Sequence, residues 1–168
     1  HERSSAASDV YKRQLGNLCQ RSLSMIEKRL DSTIPQITNK GNEELLLDKS
    51  CEELLMKGSN LVNEFKIHDY IRLVWEYIGK VNKYFNDNKP WELEKNDNDK
   101  FLNVLAVTVD QIKNIAIFIH PIMPDVSMKI LQIMGISETK LLFENMKAIN
   151  LHGNKLSRVN HLFNRVQS

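Results

Sequence analysis

From Tyr70 to Phe85 apolar residues return at every third or fourth position, as Tyr70, Ile71, Val74, Ile78, Val81 and Phe85, and the pattern then stops at Asn86-Asp87-Asn88-Lys89-Pro90. That spacing puts one face of a helix against a core, and no strand satisfies it, because strand side chains alternate with a period of two. Proline lacks an amide hydrogen, fixes its own φ and pushes the residue before it out of the α region. The helix has to end here and the chain has to turn. Trp91 follows directly. An indole just past a helix stop has two readings. It can plug the end of a helical bundle, or it can show a flat ring to solvent, the kind of surface on which a nucleic-acid base stacks.

The same spacing recurs on both sides of this helix. Leu15, Leu18, Ser22, Met25, Ile26 and Arg29 mark one face of an earlier helix, with Asn17, Arg21, Ser24 and Lys28 on another. A loop with Pro35, Asn39 and Gly41 leads to a second helix from about Glu43 to Phe65, with Leu47, Cys51, Leu54, Leu55, Val62 and Phe65 inward and a bend at Gly58-Ser59. After Trp91, Asp97 or Asn98 can cap a helix that runs through Leu105, Val109, Ile112 and Ala116 to Ile119, where Pro121 stops it. Pro124 suits the first turn of a short helix, Asp125 to Met134, with Gly135 as its left-handed cap. No alternating run, repeat or glycine-rich phosphate loop is present. The expected fold is all-α: an antiparallel helical bundle of about five helices with a loosely structured C-terminal tail.

Length and charge narrow the function. A chain of 168 residues, 42% hydrophobic and 26% charged, buries a core without disulfides or metal. A net charge of +2 excludes a strongly basic nucleic-acid surface, so any RNA binding has to rest on a few placed residues. Cys19 and Cys51 form no CxxC pair and have no His at metal-ligand spacing. His1, His68, His120, His152 and His161 form no HExxH and flank no evident nucleophile. No catalytic residue, metal site or cofactor is expected in this chain. No apolar run reads as a membrane span and no secretory pattern opens the sequence, so the expected compartment is the cytoplasm, without membrane or DNA partners.

Residues 1–14 stand apart. They show no apolar periodicity, and Asp9-Val10-Tyr11-Lys12-Arg13-Gln14 resembles a translated sequencing adapter. They are expected to be a non-native leader, unpacked from the core, before a helical domain over 15–150 and a tail over 151–168 that packs back on the bundle or onto a missing catalytic domain.

Asn17 and Arg21, four apart, share a helix face that is not the apolar one. An amide offers a donor and an acceptor to a base edge, and a guanidinium offers a planar fork that hydrogen-bonds or stacks. The plain alternative is a solvated face on which Arg21 pairs with a carboxylate such as Glu27.

With these residues on the page, the chain resembles the C-terminal anticodon-binding domain of bacterial methionyl-tRNA synthetases, in order over nearly all of residues 15–168. Leu15-Gly16-Asn17-Leu18 with Arg21 resembles the family's first anticodon-domain helix. Phe65, Trp75, Ile78, Asn82 and Tyr84 followed by Lys89-Pro90-Trp91 resemble its helix and anticodon-reading turn. Ile119-His120-Pro121-Ile122-Met123-Pro124 with Ser127, Ile130 and Gly135 resemble its later helix pair. The tail from Gly153 to Val166 is a looser match, with Asn164 where the family has a proline. The resemblance implies that Asn17, Arg21, Pro90 and Trp91 bind the anticodon loop of methionine tRNA. It also implies a catalytic domain elsewhere in the parent enzyme, a methionine–tRNA ligase using ATP with Mg and, in part of the family, zinc. This chain would catalyse nothing alone. A domain of a leucine, isoleucine or valine synthetase shares the bundle, and a helical interaction module with no RNA partner remains the other alternative.

Overall fold

The structure, a computed structural model, describes residues 2–137 and 143–159. Six α-helices follow in order: α1 (Glu2–Arg29), α2 (Asn42–Asn63), α3 (Ile67–Asn88), α4 (Pro90–Asn96), α5 (Asn98–Ile119) and α6 (Pro124–Ile133), with a 3₁₀ turn at Phe143–Ala148. Among the described residues there is no β-strand, only an isolated bridge between Thr33 and Lys155. The all-α expectation holds.

α5 is the axis of the bundle. Its residues are apolar nearly all round, and most are buried from Phe101 to Ile119. By length and composition it could cross a membrane, which composition alone did not suggest, but 89% of its most apolar stretch is covered by the other helices. A helix hydrophobic on every side belongs either in lipid or at the centre of a protein, and here it is at the centre.

α3 lies against three partners. α2 runs antiparallel to it, with Gly58 against Tyr70 at one end and Asn88 near Glu43 at the other. α5 is also antiparallel: the Tyr70 hydroxyl donates to the Phe118 carbonyl and the Tyr77 hydroxyl meets Gln111. α1 is parallel, because Tyr11 meets Trp75 and, further along both helices, Arg21 meets Asn86. The start of α1 and the start of α3 are therefore at one end of the molecule, and Arg21 and the end of α3 are at the other.

Polar groups inside the core are tied. Gln111 donates from Nε2 to Asp48 Oδ1 at 3.0 Å. Lys113, almost fully buried, donates to Asp110 Oδ1 at 2.7 Å and to the Ile149 carbonyl at 3.3 Å, which ties the segment after the 3₁₀ turn to α5. A buried ammonium without such partners would be strongly destabilising. Burial pushes the Cys51 thiol up to about 11. Residues 151–159 lie against the bundle: Leu151, Leu156 and Val159 are buried, and the Leu156 N–H donates to the Ser32 carbonyl at 2.7 Å. Asn164, Val166 and the rest of the tail beyond Val159 lie outside the described residues.

Four local expectations need correction. Residues 90–96 form a helix where only a turn was expected, because seven residues are too few to show a period. α2 runs unbroken through Gly58, whose missing side chain serves packing: a Cβ there would come within 2.9 Å of the Tyr70 ring. Phe65 points outward at 87% exposure, since the helix has already ended and the chain at Phe65 is left-handed, with φ 59°. Residues 2–14 do not stand off as an unpacked leader. They continue α1, and Tyr11 stacks on Trp75 with ring centroids 5.2 Å apart.

Candidate nucleic-acid interface

The Pro90 turn is built by its neighbours. Asn88 Nδ2 donates to the Tyr84 carbonyl at 2.8 Å and so occupies an acceptor freed at the end of α3. Lys89, before the proline, takes the left-handed conformation, with φ 46° and ψ 62°. Pro90 is buried as the first residue of α4, where its missing N–H costs nothing. The amides of Glu92 and Leu93 donate to the Lys89 carbonyl at 2.9 and 3.2 Å. This places Trp91 in the first turn of α4, 40% exposed, neither a bundle plug nor a free ring. Arg29 holds the far side of α4 through Glu94, Nε to Oε1 at 3.2 Å.

Arg21 completes the arrangement. Its guanidinium carbon lies 4.9 Å from the centroid of Trp91 and 5.1 Å from that of Phe85, while the two rings meet edge to face at 6.1 Å. A cation over two aromatic faces is attracted by both ring quadrupoles. Arg21 Nη1 donates to Asn86 Oδ1 at 2.8 Å, which fixes the plane of the fork. Among the described residues no carboxylate pairs with Arg21, so the local ion pair to Glu27 is not formed; Glu27 instead accepts from the Val159 amide at 3.3 Å. The positive charge and most of the five N–H donors remain available.

Asn17 is one turn before Arg21 on α1, exposed, with its side chain in no hydrogen bond among the described residues. The backbone path explains this: Leu15, Leu18, Cys19, Ser22, Leu23 and Ile26 are buried, which turns Asn17 and Arg21 outward together. The structure thus brings Arg21, Pro90 and Trp91 into one cluster and leaves Asn17 on the same helix face beside it. Phe85 and Asn86 belong to the cluster as well. Asn86 had appeared only as a turn residue, and a contact across 65 positions leaves no periodic trace in a sequence.

On the α2 and α5 side of the same turn is a polar cavity of about 490 Å³, lined by Asn39, Glu43, Glu44, Asn88, Asp97 and Asp99 among others. Its carboxylates have local work. Glu44 Oε1 accepts from the Gly41 amide and Asp97 Oδ1 from the Lys100 amide, both at 3.1 Å, so they serve the first turns of α2 and α5. Their negative charge disfavours a phosphate. The aromatic cluster on the α1 side is the better surface for RNA.

Comparison with known proteins points the same way. The family described as "Anticodon binding domain of methionyl tRNA ligase" matches residues 34–168, which include Pro90 and Trp91 but not Asn17 or Arg21. The methionine–tRNA ligase of Mycobacterium tuberculosis is 32% identical over 126 residues, 73% of this chain and 24% of the relative. That of Mycobacterium leprae is 27% identical over 158 residues, 92% of this chain and 29% of the relative, a span that takes in Asn17 and Arg21. The crystal structure of apo Mycobacterium tuberculosis methionyl-tRNA synthetase superposes with a TM-score of 0.84 at 29% identity, covering 89% of this chain and 31% of that one. The same synthetase in complex with methionyl-adenylate gives 0.85 at 30% identity, covering 89% and 30%. The chain thus spans between about a quarter and a third of the length of these relatives. Family and relatives alike are methionyl, which favours that expectation over a leucine, isoleucine or valine synthetase. The chain belongs to the family of methionyl-tRNA ligase anticodon-binding domains.

Proposed function

We propose that this chain binds the anticodon loop of methionine tRNA as the RNA-reading part of a cytoplasmic methionine–tRNA ligase. In this reading the joining of methionine to tRNA by way of an adenylate, with ATP, Mg and any zinc, belongs to the longer polypeptide. Asn17, Arg21, Pro90 and Trp91 touch the loop. The observation that carries the reading is the Arg21 guanidinium set over Trp91 and Phe85 with no carboxylate to neutralise it.

An anticodon is read by catching unpaired bases splayed from the loop, which requires an aromatic platform and a few groups aimed at base edges. Arg21 covers one face of Trp91, so a base stacks either on the uncovered indole face or on the outer face of the guanidinium itself. Stacking of this kind contributes about 1–3 kcal/mol per base. Asn17 then offers its amide to the edge of the stacked base, and a good edge contact adds discrimination of about the same size. Pro90 acts through position, since it fixes where α4 starts and hence where the indole points. With so few unpaired cations, affinity rests on stacking and edge contacts more than on counterion release.

The test is a titration of a fluorescently labelled methionine anticodon stem-loop, and of one with the anticodon changed, at two salt concentrations. Preference for the cognate loop with a shallow salt dependence is the expected result. Binding that ignores the anticodon overturns the reading.

A further inference from the structure

Phe65 combines two features that proteins avoid together. Its φ of 59° is left-handed, a conformation that crowds any Cβ, and its ring is 87% exposed. The cause of the backbone shape is local. The Lys66 amide donates to the Leu61 carbonyl at 2.8 Å and the Phe65 amide to the Val62 carbonyl at 3.1 Å, a Schellman closure of α2 with Phe65 at the left-handed position. The same closure ends α6, where the Ile136 amide reaches Leu131 at 2.9 Å and the Gly135 amide reaches Gln132 at 3.0 Å. There the left-handed residue is a glycine, with φ 78° and no side chain to crowd. A phenylalanine in that place gains nothing within the domain, as its ring makes no ring contact among the described residues.

The tip where Phe65 sits is the end of α3 away from Trp91, about 33 Å along the 22-residue helix. Because α1 and α3 are parallel, it is also the end at which α1 begins. The cations nearest Phe65 are matched locally, Lys66 to Glu64 at 3.1 Å and Arg72 to Asp69 at 3.8 Å. A surface with an exposed ring and balanced charge suits an apolar protein pocket and offers no surplus charge to a phosphate backbone. In relatives such as the M. tuberculosis synthetase, about two thirds of the polypeptide lies outside the part that this chain matches.

We propose that the α2–α3 tip is a docking surface for the remainder of the same polypeptide, with Phe65 seated in an apolar pocket of the catalytic part. The inference rests on reading this chain as one part of a longer ligase. The contact lies at the opposite end from the RNA cluster, so it fixes the angle between the two parts of the enzyme without touching the anticodon.

The test uses the full-length ligase that carries this chain, with the photoreactive p-benzoylphenylalanine in place of Phe65, irradiated with and without methionine tRNA and mapped by mass spectrometry. The expected product is an intramolecular link to a residue outside these 168, formed in either case. A link only to tRNA, a link between two copies, or no link at all overturns the proposal. Folding is controlled with Phe65→Asn, since asparagine tolerates the left-handed position. This variant of the 168-residue chain should melt about 2–4 °C higher, while in the full-length ligase it should increase proteolysis between the two parts. Unchanged proteolysis of the full-length variant also overturns the proposal. Aminoacylation of methionine tRNA by the unmodified full-length protein is measured in parallel, and its absence would remove the ligase reading itself, whatever Phe65 contacts.

Discussion

The two ends of α3 each carry an exposed aromatic ring next to a left-handed residue that is not glycine, and they are built in opposite ways. At the far end, Lys89 is left-handed and Trp91 follows, held against Phe85, covered on one face by Arg21 and ringed by Asn86 and Pro90. At the near end Phe65 is itself the left-handed residue, stands alone, and has only locally paired charges around it. Exposure alone therefore does not identify an RNA platform. The more exposed ring of the two is the one without a cation or an amide arranged beside it. What distinguishes Trp91 is a set of neighbours that hold it still and leave charge unspent.

The most direct way to break this comparison is to remove each ring in turn. Trp91→Ala should weaken binding of the methionine anticodon stem-loop by about 1–3 kcal/mol, roughly 5- to 150-fold, with the salt slope nearly unchanged. Phe65→Ala should leave stem-loop binding as it was. Fluorescence titration of both, with circular dichroism to confirm folding, decides it. Equal losses would mean that the two ends are not functionally distinct.

Arg21→Ala sharpens the same contrast by separating stacking from charge. The loss should fall more heavily on the cognate loop than on one with a changed anticodon, because a fork held by Asn86 beside Trp91 is aimed at a base. Equal loss on both loops with a flatter salt slope would assign Arg21 to a phosphate. Asn86→Ala should have the smaller effect, about 0.5–1.5 kcal/mol, since it frees the guanidinium without removing it. An Asn86→Ala loss as large as that of Arg21→Ala would show that Asn86 touches the RNA itself.

How much of this was legible in the sequence depends on how far apart the interacting residues are. The stops at Pro121 and Gly135 and the cap at Asp97 were readable because each acts on its own neighbours, and α5, α6 and their ends fall where those residues put them. Phe65 was read as inward by extending the spacing of α2 one step too far. The left-handed turn that ends the helix is cooperative and has no glycine here to announce it. Trp91 and Arg21 were each visible as chemistry. Their stack was not, because it depends on α1 and α3 being parallel neighbours, which only the whole bundle determines. Gly58 was readable as unusual but misread as a bend, since the Tyr70 ring that needs its empty side lies on another helix. Gly58→Ala should accordingly lower stability by about 1–3 kcal/mol, a fall of several degrees in the melting temperature, while leaving the RNA cluster intact.

The smallest effect concerns the first residues of α1, and it tests whether the near end of the molecule includes them. Composition marks residues 1–14 as a leader, yet Tyr11 stacks on Trp75 almost parallel, at 9° between ring planes. Trp75 is nearly buried. If this stack contributes as aromatic pairs generally do, Tyr11→Ala should cost about 0.5–1.5 kcal/mol, or roughly 1–6 °C in melting temperature for a domain of this size. Asp9→Ala, two residues away on an exposed position, serves as the control and should stay within about 0.5 kcal/mol. The difference between the two variants matters more than either value, because both alter the helix by an alanine and only one removes a ring. Equal and negligible shifts would mean that Trp75 is held by α3 and α5 alone and that residues 1–14 ride on the bundle without joining it. A shift confined to Tyr11→Ala would make the stack part of the fold, and any native sequence at this position would then need an apolar side chain to cover Trp75.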